Sequence, residues 1–85
     1  MASNILIGSA IARDLVPITP HDNNTQKYHC IVVKGNAGNV VVETEAGVER
    51  TIPFAAGERE PISVVKVKAT NTTATNIWGY KLFSD

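Results

Sequence analysis

Few side chains in this sequence have the type and spacing for chemistry. His21, Asp22, His29 and Cys30 are the imidazole and thiol candidates, with one carboxylate beside them. Their spacing fits neither a C-x-x-C nor an H-x-x-x-H metal pattern. His29 and Cys30 are adjacent in a β-rich stretch, so they point to opposite faces and do not share a metal. Cys30 lies among Tyr28, Ile31 and Val32 and reads as a buried small hydrophobe. As the single cysteine, it excludes an internal disulfide. Nucleophilic catalysis needs a base and an orienting group beside the nucleophile, and no G-x-S-x-G or comparable signature is present. Paired carboxylates would have to come from Asp14, Glu43, Glu45, Glu49, Glu58 or Glu60. Glu43, Glu45 and Glu49 fall at a hairpin end, where solvation is the ordinary state. A small β domain has little room for a concave pocket. The expectation is a protein with no catalytic residue, no metal and no cofactor.

Two binding chemistries can be weighed in the same way. Gly35-Asn36-Ala37-Gly38 is glycine-containing, but a strand pattern follows it. A phosphate cradle needs a helix N-terminus there, so the segment reads as a turn. Lys66 and Lys68, with Tyr28, Phe54, Trp78, Tyr80 and Phe83, imitate a stacking platform for single-stranded nucleic acid. Lysines alternating with valines are, however, the usual solvated face of a strand, and they also guard an edge against wrong pairing. Eight Lys+Arg balance eight Asp+Glu. Nucleic-acid binding by counterion release and binding to a membrane surface both require a basic surplus, and neither is expected. Trp78 and Tyr80 could form a sugar platform, but they alternate with Leu82, which assigns them to a core or a subunit interface.

The elements that would position these residues are strands. Ten Val, eight Ile and eight Thr dominate, against three Leu. β-Branched residues lose rotamer freedom in helices and fit a pleated surface. Gly, Pro or β-branched runs interrupt every candidate helical stripe. Strands are expected over Tyr28–Lys34, Asn39–Thr44, Val48–Phe54, Ile62–Ala69 and Asn76–Phe83. In Val48–Phe54, Val48, Arg50, Ile52 and Phe54 alternate against Glu49 and Thr51. Glu45-Ala46-Gly47 fits a three-residue hairpin loop with Gly47 in the left-handed position. In Ile62–Ala69, Val65, Val67 and Ala69 should share one face and Lys66 and Lys68 the other. Ala55–Pro61 and Thr70–Thr75 read as loops. The fold class is all-β: a small antiparallel β-sandwich or barrel of about 5–7 short strands with an extended N-terminal arm.

The arm covers residues 1–20 and the single β domain residues 21–85. Pro17 and Pro20 favour extended or turn geometry over a central strand. The arm carries Ile5, Leu6, Ile7, Ile11, Leu15, Val16 and Ile18, more apolar groups than a free tail usually does. It either completes the core as an extra strand or docks on a neighbouring subunit, since an exposed edge accepting an arm is a common assembly device. No run reaches the apolar length of a signal-peptide core or a membrane span. A chain of 85 residues has a marginal core unless something else stabilises it. Zero net charge favours association.

An ordered set of segments from Val16 to Leu82 resembles the head-spike base proteins of phages and gene-transfer agents. The matching pieces are Ile18-Thr19-Pro20-His21-Asp22, the run from Ile31 to Val42 through Gly35-Asn36-Ala37-Gly38, and Glu45-Ala46-Gly47. Phe54-Ala55-Ala56-Gly57 with Pro61-Ile62 and the run from Val65 to Ile77 complete the set. Lys66 or Lys68 stands where Arg is common, and Asn71 where Gly is common. Asn is the side chain best suited to a left-handed turn, so that loop survives.

The resemblance implies a non-enzymatic structural protein of a bacteriophage or phage-like virion. Such a protein decorates the capsid or forms the base that attaches a head spike or fibre. A tail or baseplate adaptor is the nearest alternative, and a small soluble carbohydrate- or protein-binding module the next. The implied partners are copies of the chain and a major capsid protein or other virion component, without nucleic acid or membrane. Its implied location is the virion, after synthesis in the host cytoplasm. The expected assembly residues are Ile5, Leu6, Ile7 and Ile11 in the arm, with Asn36, Asn39, Glu58, Arg59, Asn71, Thr72 and Thr73 at loop tips.

Overall fold

β-Branched runs between short polar turns build two antiparallel sheets. The computed structural model describes residues 12–82. Among these residues there are seven strands and no helix: β1 Asp14–Pro17, β2 Cys30–Val33, β3 Gly38–Thr44, β4 Glu49–Phe54, β5 Arg59–Glu60, β6 Val64–Lys68 and β7 Ile77–Lys81. One sheet has the order β1-β7-β2-β5 and the other β4-β3-β6. Every pairing is antiparallel. The core between the sheets holds Ile31, Val33, Val40, Val42, Phe54, Val64, Val67 and Ile77, closed at its margins by Ile18, Tyr28 and Ala74. Among the described residues it contains no leucine. The branched side chains that dictated strands also fill the space between them.

Several expectations from the sequence meet the structure directly. The β3–β4 hairpin closes through Glu45-Ala46-Gly47. The Thr44 N–H donates to Val48 O at 2.9 Å and the Gly47 N–H to Thr44 O at 2.8 Å. Gly47 has φ +84°, as this loop type requires. Asn71 has φ +68°, the left-handed conformation expected where a glycine is common. Residues Asp14–Pro17 form a strand along β7, and Ile18 is buried in the core. Pro17 sits in an edge strand, where its missing N–H disrupts no ladder.

Two expectations are corrected, and one left open, whether Trp78, Tyr80 and Leu82 face the core, is decided. Ala55–Pro61 is not entirely loop, because Arg59 and Glu60 pair with Val32 and Ile31 as β5. Backbone pairing alone makes this strand, so no β-branched signal announces it. In β6 the buried residues are Val64 and Val67, while Val65 is half-exposed. The register against β3 shifts between Glu43 and Thr44, which inserts Val65 as the extra residue of a bulge and resets the two-residue alternation. In β7 the core face belongs to Ile77 and Gly79. Trp78, Tyr80 and Leu82 lie on the other face and stay half-exposed.

Gly79 explains that choice of face. The Tyr28 ring packs directly on it, and a Cβ at Gly79 would stand 2.3 Å from the Tyr28 Cδ1. The Lys81 ammonium lies 5.3 Å from the same ring's centroid, within cation–π range. Gly79→Ala should therefore overpack this contact and cost about 1–3 kcal/mol. Thermal denaturation should show a Tm lower by about 4–8 °C for each kcal/mol lost. An unchanged Tm would show that the ring is free to move away.

Candidate assembly interface

Antiparallel pairing collects the loops at the two ends of the sandwich. β2, β4 and β6 finish, and β3, β5 and β7 begin, at the same end. The three loops singled out from the sequence therefore meet there. Asn36 and Asn39 lie beside the 69–76 loop. The Asn36 N–H donates to Thr75 Oγ1 at 2.7 Å, and the Asn39 N–H to Thr73 Oγ1 at 2.9 Å. Glu58 joins them through β2, its carbonyl accepting the Val33 N–H at 3.2 Å. Its own Oε1 accepts the Ala55 N–H at 2.8 Å. The side chains of Asn36, Asn39, Glu58, Arg59, Asn71 and Thr73 are exposed at this end, and Thr72 is half-buried. Ile5, Leu6, Ile7 and Ile11 lie outside the described residues.

The threonine run has a structural duty that composition did not disclose. Thr72 Oγ1 accepts the Val41 N–H at 2.9 Å and donates to Lys68 O at 2.6 Å. The hydroxyl thus continues the β3–β6 ladder past the last strand pair. Thr73 and Thr75 do the same for Asn39 and Asn36. Glycines at 35 and 38 permit the close approach: a Cβ at Gly35 would stand 2.4 Å from Thr75 Oγ1, and one at Gly38 2.7 Å from the Ala74 N.

A second surface was only partly singled out from the sequence, through Trp78, Tyr80 and Leu82. Register places Leu15, Tyr80 and Cys30 in one row across the outer face of the four-stranded sheet, with Pro17, Trp78, Val32 and Arg59 in the next. This sheet is therefore apolar on both faces. Cys30 and Val32 are buried but belong to this face and not to the core. The unbroken apolar run Cys30–Val33 carries the signal, since a strand with one solvated face would alternate. Leu15, Trp78 and Tyr80 on this face are half-exposed, and Pro17 is exposed.

The electrostatics of the other sheet are largely neutralised. Lys66 Nζ lies 3.8 Å from Glu43 Oε1 and Lys68 Nζ 3.5 Å from Glu49 Oε1. The lysine stripe is thus paired with the hairpin carboxylates, although such exposed pairs add little stability. A depression of about 290 Å³ opens beside them, lined by Asp22, Asn23, Val41, Glu49, Lys68, Thr70 and Asn71. His21 serves a turn: its Nδ1 accepts the N–H groups of Asn23 and Asn24 at 3.1 and 3.2 Å. Burial pushes the Cys30 thiol up, away from the reactive thiolate. Among the described residues no group of three or more His, Cys, Asp or Glu could hold a metal ion.

Asp22 ties the segment before β2 to the end of β6. Its Oδ1 accepts the Ala69 and Thr70 N–H groups, each at 2.9 Å, and its Oδ2 accepts the Thr70 hydroxyl at 2.6 Å. The hydrogen bond from the Thr70 hydroxyl, followed by that from its N–H, holds the Asp22 carboxyl below its ordinary value of 3.8. The stabilisation is therefore complete above that value and is lost as pH falls through the lower folded-state value. Asp22→Asn should flatten the acid limb of a Tm-against-pH curve, and an acid limb identical to that of the parent would exclude this role. Thr72→Val should cost about 1–3 kcal/mol by stranding the Val41 N–H, and Thr72→Ser should restore most of it. Equal urea midpoints for the parent and Thr72→Val would overturn this account.

No family model matches the sequence, and no curated protein is similar to it. Among solved structures, a chain of one described as "Capsid of native GTA particle computed with C5 symmetry" is similar, with a TM-score of 0.76 and 31% sequence identity. The match covers 86% of this chain and 87% of that one. Nearly the whole sandwich is shared in length and topology at this identity, and the chain belongs to the same family as that chain of the GTA capsid.

Proposed function

We propose that this chain is a structural, non-enzymatic subunit of a phage-like virion. It binds copies of itself and a larger capsid component, and it serves at the head as a decoration or as the base of a spike or fibre. The likeness to a chain of a GTA capsid carries this reading. The half-exposed apolar face of the four-stranded sheet and the gathered loop end support it, because each offers contact area without a catalytic constellation. The balanced charge, with Lys66 and Lys68 paired to glutamates, supplies no basic surplus of the kind nucleic acid would need. Synthesis in a host cytoplasm, followed by incorporation into the particle, completes the reading.

A second reading is favoured by one observation. Trp78 and Tyr80 stand on the outer face and not in the core, which suits a carbohydrate-binding module. One set of measurements separates the two. Light scattering of the purified chain and cryo-EM of virions produced with it should show self-association and density on the particle. A monomer absent from every particle, with Trp78 fluorescence quenched by sugars, would favour the module. The seven strands of the described residues all lie after residue 12. A chain lacking residues 1–12 should keep its Tm but assemble weakly, whereas loss of folding would make the arm an internal element.

A further inference from the structure

Among the described residues the two sheets present four outer edges, of which one is covered by the chain, one is partly blunted and one is very short. On β1, the Ile18 N–H donates to Ile77 O at 2.8 Å, which turns the N–H groups of even-numbered residues toward β7. Of the outward groups, Pro17 has no N–H and the Leu15 N–H is taken by Asp14 Oδ1 at 2.8 Å. β5 is two residues long, with Pro61 directly after it. Along β6, the His21 N–H donates to Val67 O, the Gln26 N–H to Val65 O and the Tyr28 N–H to Val64 O, at 2.9, 2.7 and 3.1 Å. Segment 21–28 therefore covers that edge.

β4 is different. The Thr44–Val48 hydrogen bond sets its phase, so residues 50, 52 and 54 face β3 while 49, 51 and 53 face outward. Among the described residues none bonds the outward backbone of Glu49, Thr51 or Pro53, and all three are exposed. The edge offers two N–H donors, from Glu49 and Thr51, and three carbonyls. Val48, 38% exposed, and the half-buried Ile52 flank it with apolar area.

We propose that this β4 edge accepts residues 4–8 of a second copy as an added strand. The proposal rests on the assembly reading above and names its donor and acceptor. Asn4, Ile5, Leu6, Ile7 and Gly8 carry no charge, contain no proline and include two β-branched residues. Five residues match the span from Glu49 to Pro53. Glu49 is already paired with Lys68 and Arg50 stands beside it, so the flank selects against neither sign and suits a neutral strand. A strand given to the next copy joins unlike surfaces, head to tail, and such a contact can propagate around a ring.

Disulfide trapping in the full chain tests the pairing. In a Cys30→Ala background, Thr51→Cys would be combined in turn with Ile5→Cys, Leu6→Cys or Ile7→Cys. At millimolar concentration under oxidising conditions, at least one pair should give covalent dimers and higher species on a non-reducing gel. Intramolecular linkage alone, or no linkage, overturns the proposal. Thr51→Pro removes an outward N–H that the β3–β4 ladder does not use. It should weaken self-association by about tenfold or more while the Tm stays close to that of the parent, and undiminished association would count against this edge. If trapping fails while the chain still enters virions, the virion reading stands and only the edge assignment falls.

Discussion

A β-sheet must dispose of the backbone groups along its edges, and this chain is organised around that constraint. Among the described residues, seven short strands in two sheets create four edges, each a row of N–H and C=O groups that either finds partners or faces water. β1 is blunted by Pro17 and by the carboxylate of Asp14. β6 is covered by segment 21–28, which Asp22 fastens to Ala69 and Thr70. The β3–β6 ladder is prolonged by threonine hydroxyls together with backbone bonds from the 69–76 loop. Much of the polar sequence that looks like loose loop is therefore engaged in edge closure. The exposed β4 edge stands out because it is the longest edge strand left uncovered among the described residues.

The second organising fact is a sheet that is apolar on both faces. Its inner face joins the core through Ile31, Val33 and Ile77. Its outer face shows Trp78, Tyr80, Leu15 and Pro17 above the buried Cys30 and Val32. A domain this small has little core to spare, so apolar side chains held outside it are costly unless a partner covers them. Zero net charge and locally paired lysines let copies approach without mutual repulsion. Composition, surface and the likeness to a capsid chain thus point in one direction.

Much of the fold was legible in the residues. The β-branched content excluded helices, the turns at Glu45-Ala46-Gly47 and Asn71 were readable from their left-handed positions, and four of the five expected strands lie where alternation put them without a change of register. What escaped has a common physical cause. β5 is made by backbone pairing across 27 or 29 residues of sequence, which side-chain type does not encode. The bulge at Val65 is set by β3 and by segment 21–28, both outside the strand it disturbs. The face of β7 was decided by Tyr28 seated on Gly79, a contact between residues 51 positions apart. The loop-tip residues were located as exposed groups at one end, but the bonding duty of Thr72, Thr73 and Thr75 depends on what lies beside them.

By itself, the sequence determined the class of structure, the sites of its tight turns, the absence of an internal disulfide and the balance of charge. These follow from properties each residue carries alone: branching at Cβ, freedom of φ, the thiol count and formal charge. Only the tertiary structure decided which edges close, which face of β7 looks inward and which threonines substitute for a strand. Those outcomes depend on pairs of groups brought within hydrogen-bonding or van der Waals distance by the fold, and no single position contains that information.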